Sequence, residues 1–148
     1  PEATAGSNDG SALYVVLLQE LQRYCALLKK IRRSLTDVRK GIKGLVVMSS
    51  ELDTVFQKLL VGAVPPAWLS AYPSLKPLAA WSRDLITRWQ QLMEWADKGP
   101  PKVFWLAGFT YPTGFLTALM QTAARTNNVS VDTLSWDFPI VNMEEKDR

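Results

Sequence analysis

The residues that usually carry chemistry are almost missing from this protein. It has no histidine and a single cysteine, Cys25. That removes the commonest general base, the commonest neutral metal ligand and every Ser-His or Cys-His nucleophile pair. A structural zinc site has almost nothing to build from, and no internal disulfide can form, which fits a reducing compartment. Paired carboxylates remain open in principle, but the acids are scattered over helix surfaces. Gly108 and Gly114 stand six apart with no lysine after the second; Phe115 and Leu116 fill the place a phosphate ligand would need, so the phosphate-loop pattern is absent. The Asn128-Val129-Ser130 sequon reads as chance. No active site is expected in this segment.

The strongest polar signal is electrostatic. Between Arg23 and Lys43 eight cations face Asp37 alone, a net +7, while the full sequence has a net +3 and the remainder about −4. Arg32, Arg33, Arg39, Lys40 and Lys43 lie off the apolar stripe of their helix. They form either a solvated face or a surface that docks against acidic protein; nucleic acid is the third reading. Nucleic-acid binding usually adds exposed aromatics to a positive field, and here the aromatics fall in other segments.

The elements that position these residues follow from apolar spacing. Leu17, Leu21, Tyr24, Leu28, Ile31, Leu35, Val38, Ile42 and Leu45 recur at alternating steps of four and three. The pattern predicts a long amphipathic helix facing a core, with a two-stranded coiled coil as the alternative. Gly41 and Gly44 end or bend it. Ser49 and Ser50 offer N-caps, with Asp53 placed for a capping box. Leu52, Val55, Phe56, Leu59 and Leu60 then give a short helix stopped by Gly62 and Pro65-Pro66. Val64 to Pro77 reads as an extended connector studded with Trp68 and Tyr72. A third helix starts near Pro77 with Leu78, Trp81, Leu85, Trp89, Leu92 and Trp95 or Ala96 as its stripe. A fourth spans about 113–126, with Phe115, Leu116, Leu119, Met120 and Ala123 inward. Val103–Leu106, Val129–Val131 and Leu134–Val141 read as strands, the first and a later one flanking a crossover helix.

The six tryptophans could seal a small core or anchor a partner. Trp81, Trp105 and Trp136 are in phase with their elements and read as core. Trp68 and Trp95 face either the core or a neighbouring module. The fold class is therefore α+β, mainly α: a helical bundle with a long first helix and a small, incomplete sheet near the C-terminus. Residues 1–11 form a flexible lead-in, 12–141 the domain, and 142–148 a charged tail or linker to a downstream β-rich region. The apolar fraction of 47% is that of a globular protein. No run approaches the roughly 18 residues of a membrane span, and the first ten residues lack the order of a secretory signal.

Three blocks carry a family likeness: Gly41-Ile42-Lys43-Gly44-Leu45-Val46-Val47-Met48-Ser49-Ser50-Glu51-Leu52, Ala71-Tyr72-Pro73-Ser74-Leu75-Lys76-Pro77-Leu78 and Val103-Phe104-Trp105-Leu106-Ala107-Gly108-Phe109. In order and spacing they resemble the C-terminal domain of axonemal dynein heavy chains. Residues 108–117 and 128–132 look most like a ciliary inner-arm member of the two-headed type. The resemblance implies a non-catalytic structural or regulatory segment of a microtubule motor, packed on the AAA+ ATPase ring of the same polypeptide and tuning motor activity in ciliary or flagellar beating. It implies no cofactor in this segment, with ATP and Mg in the parent motor. Microtubules and dynein intermediate and light chains would be partners of the parent, in the axoneme; no nucleic acid and no membrane are expected. Candidate partner contacts are Arg32, Arg33, Arg39, Lys40, Lys43, Trp68 and Trp95. The rival readings are a free-standing basic module for an acidic partner or nucleic acid, and a small carboxylate enzyme.

Overall fold

In the computed structural model, residues 11–137 are described, and every regular element among them is helical. Helix α1 spans Ala12–Ile42, α2 Ser50–Leu60, α3 Pro66–Leu69, α4 Leu78–Lys98 and α5 Pro112–Asn127. Single 3-10 turns lie at Leu106–Gly108 and Val131–Thr133. At 31 residues α1 is roughly 46 Å long, and α2, α3, α4 and α5 all pack against it.

Three helices end on one backbone device. After α1, the N–H of Leu45 donates to the Lys40 carbonyl and that of Gly44 to Gly41; Ala63 and Gly62 repeat this on Lys58 and Leu59, and Val129 and Asn128 on Ala124 and Arg125. Each turn passes through one left-handed residue: Gly44 at φ +69°, Gly62 at φ +66° and Asn128 at φ 53°. This six-to-one, five-to-two pairing satisfies carbonyls that a helix end otherwise leaves free. Gly62→Ala should therefore cost about 1–2 kcal/mol from backbone strain alone, since nothing lies within 4 Å of the added methyl. Denaturant unfolding reads this directly; an unchanged midpoint would count against the left-handed turn.

The expected second helix is present, one residue out of the anticipated capping register. Ser49 is the N-cap and its hydroxyl accepts the Leu52 N–H at 3.2 Å, so Asp53 does not occupy the capping-box position. The connector is not simply extended. Pro66 opens the single turn α3, which buries Trp68 against Trp81, ring centroids 6.0 Å apart. The Trp68 indole N–H donates to Ser34 Oγ at 3.0 Å and the Trp81 indole N–H to the Tyr72 carbonyl at 3.2 Å.

The small sheet is a correction. No strand occurs among the described residues; Phe138 to Val141 lie outside them, as do residues 1–10 and the tail 142–148. Val103–Leu106 looks like a strand because it is short, apolar and bounded by turn residues. Its backbone demand is met from a glutamine on α4 instead. The Gln91 amide accepts the Trp105 N–H at 2.6 Å and donates to the Trp105 carbonyl at 3.3 Å, so no partner strand is needed. Val129–Val131 enters a 3-10 turn, and 134–137 has no strand beside it to pair with among the described residues. Trp136, expected in the core, is 39% exposed.

The core continues into an aromatic cluster at the C-terminal end of α4. Trp95 stands edge-on to Phe104, Phe109 and Phe115 at centroid distances of 5.2, 6.3 and 6.2 Å, and Phe109 stacks on Phe115 at 4.5 Å. On α5 the buried residues are Phe115, Ala118 and Ala124. Leu116, Leu119, Met120 and Ala123 of the expected inward set are only half-buried.

Candidate interaction surface and the buried ion pair beneath it

The heptad stripe of α1 is only partly its core face. The buried positions are Leu13, Leu17, Glu20, Tyr24, Leu27 and Val38, again in alternating steps of four and three over the first turns. One member is a carboxylate. On α4 the matching set is Trp81, Leu85, Arg88, Leu92 and Trp95, and there one member is a guanidinium. The two charges meet: Arg88 Nη2 lies 2.7 Å from Glu20 Oε2, each group 1% exposed.

Five donors converge on this carboxylate. Oε2 accepts from Arg88, the Thr110 N–H at 2.9 Å and the Thr110 hydroxyl at 2.7 Å; Oε1 accepts the Tyr111 N–H and Arg23 Nη1, both at 3.1 Å. Arg88 also donates to the Thr110 hydroxyl. Its guanidinium lies over the Tyr72 ring at 4.8 Å and the Tyr24 ring at 5.4 Å, a flat cation between aromatic faces. The tyrosines are held by their own hydroxyls, Tyr24 donating to the Leu85 carbonyl and Tyr72 to the Ala107 carbonyl. Burial pushes the Glu20 carboxyl up, but the Thr110 and Tyr111 hydrogen bonds and the Arg88 charge outweigh it and hold the group below its ordinary range. Burial raises both phenols, against the opposing pull of Arg88. Glu20 and Arg88 were not among the residues the sequence singled out; both carboxylate oxygens and Arg88 Nη2 are hydrogen-bonded, while Arg88 Nε is buried without a partner among the described residues. The cluster is a structural bolt, with the carboxylate's hydrogen-bonding capacity used up inside the fold.

The surface is another matter. Arg32, Arg33, Arg39, Lys40 and Lys43 are all exposed. Of these, only Arg33 lies near a carboxylate among the described residues, Asp37 at 3.9 Å. Between α1 and α2 an open cleft of about 630 Å³ is lined by Lys30, Arg33, Asp37 and Glu51 over Leu52 and Val55; its mixed charges cancel. Trp68 and Trp95 do not join the basic residues. They are 3% and 4% exposed, because α3 turns Trp68 under α1 and because Phe104, Phe109 and Phe115 enclose Trp95. Their reading as partner contacts is corrected to core. Among the described residues no three His, Cys, Asp or Glu residues gather as a metal site, and no helix is long and apolar enough to cross a membrane.

Fold and surface together define a mainly helical domain, bolted internally by a buried ion pair and presenting one cationic helix back. Comparison with known proteins makes the class specific. The family model for the C-terminal domain of the dynein heavy chain matches residues 2–148. The sequence is 55% identical over 143 residues, 97% of its length, to the dynein-1-beta heavy chain of the flagellar inner arm I1 complex of Chlamydomonas reinhardtii. Human dynein axonemal heavy chain 2 is 56% identical over 138 residues, 93% of this protein, and rat dynein axonemal heavy chain 1 is 47% identical over 132 residues, 88% of it. The match spans 3% of the length of each of these relatives. The protein belongs to the family of dynein heavy-chain domains of the C-terminal type, among the axonemal members, which places it in the cytoskeleton of the cilium or flagellum.

Proposed function

We propose that this protein is a non-catalytic brace: the helical part of the C-terminal domain of a dynein heavy chain, which packs on the AAA+ ATPase ring and tunes how the motor works in ciliary or flagellar beating. ATP and Mg, microtubules, and the intermediate and light chains belong in this reading to the parent motor. The observation that carries it is the division of labour within the fold. The highly connected polar cluster around Glu20 and Arg88 is sealed in the interior, whereas the back of α1 keeps exposed cations and bare apolar groups at the surface. A domain whose buried carboxylate is fully bonded and whose surface keeps bare apolar groups is built to lean on something. Nucleic acid is the weaker partner, since Trp68, Trp81 and Trp95 lie in the core, where no base can stack on them.

The test is a motor head carrying or lacking this segment. Deletion should change the microtubule-stimulated ATPase rate or gliding velocity severalfold while nucleotide binding persists. Unaltered rate and velocity would sink the brace.

A further inference from the structure

The sequence stripe of α1 outruns the core that its first half serves. Leu28, Leu35 and Ile42 continue the heptad, yet they are 38%, 43% and 62% exposed, while α2 and α3 cover the neighbouring side through Val38, Ser34 and Lys30. With about 100° between successive residues, Leu28, Leu35 and Ile42 fall within about 40° of one another. Arg39, Arg32 and Lys43 fill the next 60° or so, with Lys29 just beyond. An apolar ridge is thus bordered on one side by the packed core and on the other by a file of cations. Among the described residues none of these four cations makes an ion pair. Leu28, Lys29, Ile31, Arg32, Leu35 and Arg39 line an open groove of about 740 Å³.

We infer that this groove is the seat of an acidic amphipathic helix from a protein partner. Its apolar stripe would lie on Leu28, Leu35 and Ile42, and a row of Glu or Asp on its flank would meet Arg32, Arg39 and Lys43. Spacing and charge both point to that occupant. Residues seven apart on one helix accept the stripe of another at heptad register, and a one-sided file of cations fixes both the sign and the side of the partner's charge. An extended peptide would not match the seven-residue rhythm. A second copy of this protein would bring cations to cations.

The inference rests on the brace reading, and its test is separable from it. The 148-residue protein is titrated into a labelled, synthetic helix of about three heptads with Leu at the a and d positions and Glu along one flank, and into the same helix with Lys in place of Glu. Binding is followed by fluorescence anisotropy at low and moderate salt. The acidic helix should bind at least tenfold more tightly than its Lys counterpart, and salt should weaken it. Leu35→Ser, or Leu28→Ser, should weaken binding about tenfold, with circular dichroism unchanged. Arg32→Glu/Arg39→Glu should reverse the preference, whereas Arg33→Glu/Lys40→Glu, farther round the helix, should move it less than about twofold. Equal binding of the two probes, or equal loss from both arginine-containing pairs, would reduce the groove to general electrostatics and overturn the assignment. So would self-association that Leu35→Ser abolishes, which would make a second copy the occupant. A failed titration leaves the deletion experiment on the motor head standing, and the converse holds.

Discussion

Glu20→Ala is expected to cost about 3–5 kcal/mol, because it leaves Arg88 charged, buried and without its carboxylate. In a domain of this size the melting temperature should fall on the order of 10 °C, a large share of a typical total stability of about 5–15 kcal/mol. The loss has a second source. Glu20 also takes the N–H groups of Thr110 and Tyr111, so its removal frees the entry to α5 as well as the core of α4. Replacing both charges, as in Glu20→Leu/Arg88→Met, should recover part of the loss and not all of it, since those two N–H groups stay unsatisfied. Arg88→Lys should behave nearly as badly as Arg88→Met, for an ammonium lacks the flat face that lies between Tyr24 and Tyr72.

The same carboxylate gives the pH dependence its sign. Its folded value lies below the ordinary 4.5, so the folded state binds the proton more weakly than the unfolded state does. The stabilisation is complete above about 4.5 and is lost as pH falls through the lower folded value. Unfolding free energy should therefore decline on acidification below that point, and Glu20→Gln should flatten the decline. A wild-type acid limb identical to that of Glu20→Gln would assign the effect to other groups.

The second large effect belongs to the aromatic core. Phe115 is 1% exposed and touches three rings, Phe104 at 4.6 Å, Phe109 at 4.5 Å and Trp95 at 6.2 Å. Phe115→Ala should cost about 3–5 kcal/mol, combining lost transfer energy with a cavity that three stiff neighbours cannot close. Near-ultraviolet circular dichroism should lose intensity as Trp95 gains freedom. Phe115→Leu keeps most of the volume and should lose under half as much. A loss below about 1 kcal/mol for the alanine variant, against the range usual for such truncations, would mean that this cluster does not hold α4, α5 and the 103–110 segment together.

Much of this fold was legible in residue spacing. The four longer helices lie where apolar periodicity put them, and Gly44 and Gly62 mark ends that the sequence announced. What escaped were the two places where a polar group took a role normally left to the backbone or to an apolar residue. Gln91 hydrogen-bonds Trp105 as a strand neighbour would, and nothing in the spacing of an isolated apolar run reveals a glutamine on another helix. Glu20 and Arg88 escaped because charge ordinarily means solvent. A signal did exist. Leu13, Leu17, Tyr24 and Leu27 leave one gap at the right phase, Trp81, Leu85, Leu92 and Trp95 leave another, and the gaps hold opposite charges. Reading Trp89 as the α4 stripe member hides the second gap; in the structure Trp89 stacks on Tyr24 from the exposed side, centroids 5.4 Å apart. The proposed docking surface was legible in charge but not in its apolar half, because the stripe gives no hint of where its intramolecular cover stops.

The sequence distance between Glu20 and its last donors has a consequence for biosynthesis. Tyr111 follows Glu20 by 91 residues, and at a translation rate of about 5–20 residues per second that interval lasts roughly 5–18 s. For that time α1 has an anion on its greasy side that is paired only with Arg23, one turn on, and lacks the full set of buried donors that encloses it in the fold. The buried carboxylate cannot lock until Thr110 and Tyr111 have been made.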